Sequence, residues 1–264
     1  MAETVRYEIE AGIARITLIA GESGNALNAD SLTALSRALA RAEGDPGCRA
    51  IVLCAEGADF CSGLDLTAVL ADPTAIDPKI FRSFVDCLTI ICHSPRPVIA
   101  GICGSVKGGG VGLAAACDLV IAAETATFML PEVIIGMIPA LIAPFLLRRL
   151  TLAQIRYLTL SSRSLDAQEA KALGLVDEVA ASGLQAVLEK QIRRILRSSP
   201  LALAQSKRYF ELLDPQDLNC NTAVALAQLE FWVKQPEVLD GLRAFAEGFS
   251  PSWFVKIGNQ ATAS

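Results

Sequence analysis

The sequence of 264 residues lacks the short patterns that usually indicate a cofactor. Its eight cysteines include no Cys-x-x-Cys pair, and it has no metal-ligand spacing, nucleotide-binding fingerprint or redox motif. We therefore expect no metal, nucleotide or redox cofactor. A net charge of −5 and the absence of a basic run argue against nucleic acid as a partner.

Long apolar runs and targeting segments are also missing. No stretch approaches the ~20 residues that a membrane span requires, and no basic segment followed by an apolar one stands at the N-terminus. Neither a membrane location nor a secretory signal is expected. Several cysteines lie inside apolar segments, which is typical of small buried side chains in a reducing compartment. We predict a cytoplasmic protein.

Apolar residues are abundant, at 52% of the chain against 19% charged. This composition favours burial in subunit interfaces as well as in a core. Strands are predicted at residues 5–10, 14–19, 49–55, 98–102, 117–122 and 127–128. Helices are predicted after a cap at Asn28 or Asp30, over 80–93, and throughout the chain from Thr151. Strands that alternate with helices, followed by a helical tail, predict an α/β fold.

Three consecutive glycines, Gly108 to Gly110, follow the predicted strand at 98–102 and precede a helix of small residues. Backbone N–H groups at such a helix start face whatever lies in front of them, because no side chain shields them. A second loop, at 60–66, follows another predicted strand. If the amides of Leu64 and Gly109 point at one site, they form an oxyanion hole. A turn at close backbone packing explains the glycines equally well.

Glu132 is a candidate acid/base because apolar residues and Pro131 flank it. In an apolar pocket its pKa would rise, which suits proton transfer near neutral pH. A surface position is the alternative interpretation of the same pattern.

These motifs together resemble the enoyl-CoA hydratase/isomerase (crotonase) superfamily. The resemblance is carried by residues 60–66, 105–113 and 131–139, and by a helix-turn segment at 167–178. It implies a crotonase fold, a spiral of ββα repeats over 1–200 with a helical trimerisation region over 201–264. It also implies a homotrimer or hexamer, no cofactor, and a thioester substrate carried on CoA or on an acyl carrier protein.

The same resemblance places Leu64 and Gly109 on the family's oxyanion-hole positions, with Glu132 as the catalytic acid/base. Hydratases of the family carry two glutamates, which fall here on Gly112 and Glu132. Only the second is present, so a water molecule cannot be held between two acids in the usual way. One carboxyl group can still move a proton between carbons, or remove an α-proton and return it to a leaving hydroxyl.

A narrower resemblance points to a polyketide subgroup that dehydrates 3-hydroxy-3-methylglutaryl groups on an acyl carrier protein during β-branch formation. Most family members have a glycine-rich segment after the proline of the Gly-x-x-Pro element. This chain has Leu141, Ile142 and Pro144 there, as the subgroup does. Other possibilities are an enoyl-CoA isomerase or hydratase, a glutaconyl-thioester decarboxylase, and a non-catalytic subunit that binds acyl thioesters.

The proposed substrate carries a free carboxylate, which needs a cation or several donors if it is buried. Lys107 is a candidate for this carboxylate or for the phosphopantetheine arm, and a surface lysine is the alternative. Cys61, Gly63 and Gly108 are further candidates for substrate contacts. For Cys61, packing is the better interpretation, because no base lies near it in sequence.

Overall fold

A computed structural model describes residues 3–65, 78–213 and 217–254. The strands are β1 (Val5–Glu10), β2 (Ile13–Leu18), β3 (Ala50–Ala55), β4 (Asp59–Cys61), β5 (Val98–Ile102), β6 (Ser105–Lys107), β7 (Leu119–Ala123), β8 (Thr127–Met129), β9 (Leu165–Asp166) and β10 (Glu178–Ala180). The helices are α1 (Ala29–Gly44), α2 (Pro78–His93), α3 (Gly109–Ala116), α4 (Ala143–Leu146), α5 (Leu152–Ser161), α6 (Ala167–Leu173), α7 (Leu184–Leu196), α8 (Pro200–Leu213), α9 (Leu218–Trp232) and α10 (Pro236–Ala246).

The strands form two sheets. The larger has the order β1-β2-β3-β5-β7-β10, and all of its pairs are parallel except the hairpin β1-β2. The smaller has the order β4-β6-β8-β9, with β8-β9 as its antiparallel pair. Helices α1, α2 and α3 contribute to the main core on one face of the larger sheet, and α7 covers the other face. The predicted α/β class is confirmed.

Local sequence explains the first elements. The hairpin turns at Ala11 and Gly12, which both have positive φ, as a tight turn between antiparallel strands requires. Asn28 caps α1: its side chain accepts a hydrogen bond from the Ser31 N–H, and the Ser31 hydroxyl accepts one from the Asn28 N–H. Both elements, and the strand at 98–102, are as predicted.

Of the five strands that have two or three residues, only β8 was predicted, and the prediction was wrong for the other four. β4 and β6 lie in segments interpreted as loops, and β9 and β10 interrupt the stretch after Thr151 that was predicted to be helical. Strands of two or three residues show no recognisable alternation of apolar and polar side chains. The strand expected from Cys117 begins at Leu119 instead, because Cys117 is the C-cap residue that follows α3. Among the described residues, no helix is long and apolar enough to cross a membrane.

Gly104 fixes the path of the chain between β5 and β6. Its φ is +69°, and a methyl group added there would lie 1.7 Å from the carbonyl oxygen of Ala58. Only a glycine permits this crossing, which sets β6 beside β4.

We expect Gly104→Ala to lower the free energy of unfolding by roughly 3 kcal/mol or more, since it combines backbone strain with a steric clash. Gly44→Ala is the matched control, because Gly44 has no atom within 4 Å of an added methyl group. It should change stability by less than about 1 kcal/mol. Denaturant unfolding of both variants measures this, and equal effects would contradict the assigned role of Gly104.

Candidate active site

The glycine-rich turn lies between β6 and α3. Gly108 has φ +50°, and its N–H donates to the carbonyl oxygen of Met129 in β8, at 3.0 Å. Its own carbonyl accepts from the N–H groups of Val111 and Gly112 in the first turn of α3. The turn is therefore held from both sides, and every residue of α3 is buried.

The second loop lies beside this turn, and its backbone is held by Leu27. The Leu27 N–H donates to the Gly63 carbonyl at 2.8 Å, and the Asp65 N–H donates to the Leu27 carbonyl at 2.8 Å. Leu27 and Leu64 thus form an isolated parallel β-bridge, in which both backbone hydrogen bonds of Leu27 are made with the neighbours of Leu64, residues 63 and 65. The N–H of the intervening Leu64 therefore points away from Leu27 and remains available.

The amide nitrogens of Leu64 and Gly109 face the same region. A methyl group built on Gly109 would lie 3.4 Å from the Leu64 nitrogen, and one built on Gly63 would lie 3.3 Å from the Gly109 nitrogen. Neither N–H donates a hydrogen bond to any residue that the structure describes. Two such donors, of which Gly109 begins α3, can together stabilise a negatively charged oxygen.

Glu132 begins a 3-10 turn, Glu132–Ile135, that follows β8 and Pro131. Its Oε1 lies 3.3 Å from the position that a Cβ on Gly108 would occupy. Its Oε2 is buried and has no hydrogen-bond partner among the described residues. Burial of the carboxyl group raises its pKa from 4.5 to about 7. This carboxyl can thus both accept and donate a proton near neutral pH.

One cavity, which is open to solvent, joins these groups. Its lining is mostly apolar and consists of Ser62, Gly63, Leu64, Phe81, Phe84, Gly108, Gly109, Pro131, Glu132, Ile135, Met137, Ile138, Pro139, Leu141, Ile142 and Leu229. Within the described part of the chain, Glu132 is the only ionisable side chain in this lining.

The structure brings together five of the seven residues that the sequence singled out. Glu132, Leu64, Gly109, Gly63 and Gly108 line the cavity, whereas Lys107 and Cys61 do not.

Lys107 is exposed at the end of β6, where it follows the buried Val106. Cys61 is buried, and burial raises its thiol pKa to about 12. A methyl group on Gly110 would lie 2.5 Å from the Cys61 carbonyl oxygen, so this segment packs directly against α3. The placement gives Cys61 a packing role rather than a contact with substrate.

Sequence reasoning missed the aromatic and C-terminal parts of the site. Phe81 and Phe84 lie one turn apart on α2 and line the cavity, a spacing that indicates a buried helix face but no particular partner. Leu229 reaches the cavity from α9. At the end of the same helix, the Trp232 indole N–H donates to the Gly136 carbonyl at 2.8 Å, which fixes the turn that carries Glu132.

Two basic side chains near the C-terminal helices are engaged within the protein. Arg148 makes a bidentate ion pair with Glu211, at 2.9 and 2.6 Å. The Lys207 ammonium lies 2.6 Å from the Asp118 carboxylate. These contacts favour structural roles for both cations.

The profile of the family described as Enoyl-CoA hydratase/isomerase matches residues 8–256. The chain belongs to this family. It is therefore an enzyme of the hydro-lyase type, and the family's hydratases act on thioesters without a cofactor.

Several relatives align over nearly the whole chain. A Thermus thermophilus relative assigned to the enoyl-CoA hydratases is 32% identical, over 92% of this chain and 98% of its own. The bacillaene synthase dehydratase PksH of Bacillus subtilis is 26% identical, over 95% of this chain and 96% of its own. The crystal structure of pksH from that organism superposes with a TM-score of 0.87, over 95% of this chain and 99% of that one. An enoyl-CoA hydratase from Mycobacterium avium gives a TM-score of 0.85 at 30% identity, over 96% and 100%. The chain thus resembles both general enoyl-CoA hydratases and a polyketide dehydratase.

The raised pKa of Glu132 predicts a pH dependence of stability. Between pH 4.5 and about 7 the folded state binds more protons than the unfolded chain, so the free energy of unfolding should fall as pH rises through this window. Glu132→Gln should flatten that slope. Glu124→Gln, which alters an exposed carboxyl, should leave it unchanged. Urea unfolding at several pH values measures the slopes, and equal slopes in wild type and Glu132→Gln would contradict the assignment.

Proposed function

We propose that this enzyme removes water from a 3-hydroxy-3-methylglutaryl thioester to give a 3-methylglutaconyl thioester. The observation that carries the proposal is a single carboxyl group, Glu132, in the described lining of an apolar cavity. Beside it are two backbone N–H groups that have no hydrogen-bond partner among the described residues. The similarity to the dehydratase PksH supports the assignment to polyketide β-branching.

In the proposed reaction, the ionised Glu132 removes a proton from C2 of the acyl group. The electron pair moves onto the thioester oxygen, and the N–H groups of Leu64 and Gly109 stabilise the resulting enolate. The pair then returns to form the C2–C3 double bond as the C3–O bond breaks. Glu132 donates its newly acquired proton to the departing hydroxyl, which leaves as water. One carboxyl serves both steps, so the elimination is syn.

The apolar lining strengthens both parts of this mechanism. Hydrogen bonds from preorganised amides are worth more where water is excluded. The same exclusion raises the pKa of Glu132 and makes it a stronger base once it is ionised. Neither effect requires a second acid at Gly112.

The distal carboxylate of the substrate belongs at the solvent-open side of the cavity. No cation lines the described part of the cavity, and an unpaired carboxylate is costly to bury. Lys107, which is exposed, is better placed for the anionic tether than for this carboxylate. The tether itself is the phosphopantetheine arm of an acyl carrier protein or of CoA.

The apolar lining also favours a second candidate function, double-bond isomerisation of a neutral enoyl thioester. That reaction uses the same carboxyl and the same two amides, because a proton is removed from one carbon and returned to another. Synthetic pantetheine thioesters of both kinds separate the two candidates. Faster turnover of the neutral thioester would favour isomerisation, and release of CO2 as the first event would exclude dehydration.

We further infer that the enzyme is a homotrimer or hexamer whose contacts involve the helical region 201–264. On α8, Leu201, Phe210 and Leu212 are exposed by 71%, 62% and 83%. Apolar exposure on this scale is typical of a surface that another subunit covers. Light scattering coupled to size-exclusion chromatography measures the mass, and a monomer would contradict the inference.

Glu132→Gln should lower kcat by about 10²- to 10⁴-fold, the usual contribution of a positioned acid/base. Binding of a substrate analogue should be retained, since the amides and the apolar walls remain. Glu124→Gln is the matched control, and its kcat should equal that of the wild type. A Glu132→Gln variant with wild-type kcat would contradict the role of Glu132 as acid/base. A wild type that binds the thioester without turning it over would favour a non-catalytic subunit that binds acyl thioesters.

The dehydration rate should depend on the ionisation of Glu132. Because the base must be ionised in the free enzyme, kcat/KM should rise with pH and level off above a pKa of about 7. Steady-state rates at constant ionic strength measure this profile. A profile that is flat from pH 5 to 9 would contradict the assignment of Glu132 as the base.

A further inference from the structure

Position 112, where the family's hydratases carry their first acid, is sterically closed in this protein. A methyl group built on Gly112 would lie 2.5 Å from Cγ2 of Ile142 and 3.2 Å from its Cβ. It would also lie 3.4 Å from Cζ of Phe84. Carbon atoms normally approach to about 3.5–4.0 Å. No side chain therefore fits at position 112 unless Ile142 moves.

Ile142 cannot move easily. It is 3% exposed, and its carbonyl accepts hydrogen bonds from the N–H groups of Phe145 and Leu146, at 3.1 and 2.9 Å. Branching at Cβ leaves its side chain few rotamers, so a shift of Cγ2 requires a shift of the backbone before α4. Ile142 is thus a fixed part of the cavity wall.

We propose that Ile142 is a specificity-determining residue that takes the volume of the absent first acid and prevents a water molecule from being positioned there. This rests on the proposed function, in which Glu132 is the acid/base. Ile142 and Phe84 offer no hydrogen bond from their side chains, and an ordered water needs about two to four polar partners. The wall thereby excludes the route in which a second acid helps to hold and activate the water. Dehydration and its reverse, hydration, are left to the single carboxyl of Glu132. The same apolar wall suits a C3 methyl group on the substrate.

The steric part is tested by a double-mutant cycle on stability. Gly112→Ala adds only the methyl group that meets Cγ2 of Ile142, and Ile142→Ala removes that Cγ2. We expect Gly112→Ala to increase the unfolding equilibrium constant strongly in the wild type. In the Ile142→Ala background the same substitution should increase that constant by about tenfold less. Additive effects would overturn the proposal, because the two positions would then not share one volume.

The functional part is tested with crotonyl-CoA as the probe for hydration. The double variant Gly112→Glu/Ile142→Ala should hydrate it about 10²-fold faster than the wild type and than either single variant. Gly112→Glu/Leu141→Ala is the control, because it removes a neighbouring wall side chain but leaves Cγ2 of Ile142 in place, and it should gain nothing. A folded Gly112→Glu/Ile142→Ala variant without added hydration would overturn the proposal. If that variant does not fold, the stability cycle decides.

Glu132→Gln in the wild-type background distinguishes this proposal from the proposed function. If Glu132→Gln abolishes dehydration while the stability cycle is additive, only the role of Ile142 is wrong. If Glu132→Gln leaves dehydration intact, the role of Glu132 in the proposed function is wrong, whatever the cycle shows. If the wild type itself does not dehydrate the thioester, the proposed function is wrong. Loss of dehydration together with a coupled cycle and the gain of hydration would support both.

Discussion

The close approach of the Gly63 loop to the start of α3 is the constraint on which the rest of the site depends. A Cβ on Gly63 would lie 3.1 Å from the Lys107 carbonyl oxygen and 3.3 Å from the Gly109 nitrogen, and its φ is +101°. Only glycine satisfies both conditions. β4 and β6 are parallel neighbours, so the loops that follow them leave the same edge of the smaller sheet. For that reason the N–H groups of Leu64 and Gly109, which have no hydrogen-bond partner among the described residues, face the same region.

Electrostatics in the cavity follow from this arrangement. The apolar walls withhold solvent from Glu132 and raise its pKa, while the two amides supply positive partial charge without a cation. A neutral carboxylic acid and two N–H dipoles can share an apolar cavity at lower cost than a fixed ion pair, because no full charge is left unpaired. This balance is compatible with the absence of Lys and Arg from the described lining.

The sequence predicted the parts of the molecule that depend on local signals. The strand at Val98–Ile102, the Asn28 cap and the glycine turn are encoded in neighbouring residues, and the structure has them. Glu132 could be found because Pro131 and apolar residues flank it. By contrast, the contact between Gly112 and Ile142 joins residues thirty apart, and no local pattern shows that one takes the space of the other. Lys107 lies two residues before Gly109 in sequence, which makes it a candidate for a substrate contact, whereas strand alternation leaves its side chain exposed.

Helix α9 contributes one side chain to the cavity and a second to the turn that carries Glu132. Leu229 lines the cavity, and Trp232, one turn further on, donates its indole N–H to the carbonyl of Gly136. The cavity thus combines residues from Ser62 to Leu229, and the turn that bears Glu132 has one of its anchors in a segment synthesised late. A nascent chain would have both amides and the carboxyl long before the helix that completes their surroundings. The complete cavity would then form only after the chain as far as Trp232 has left the ribosome.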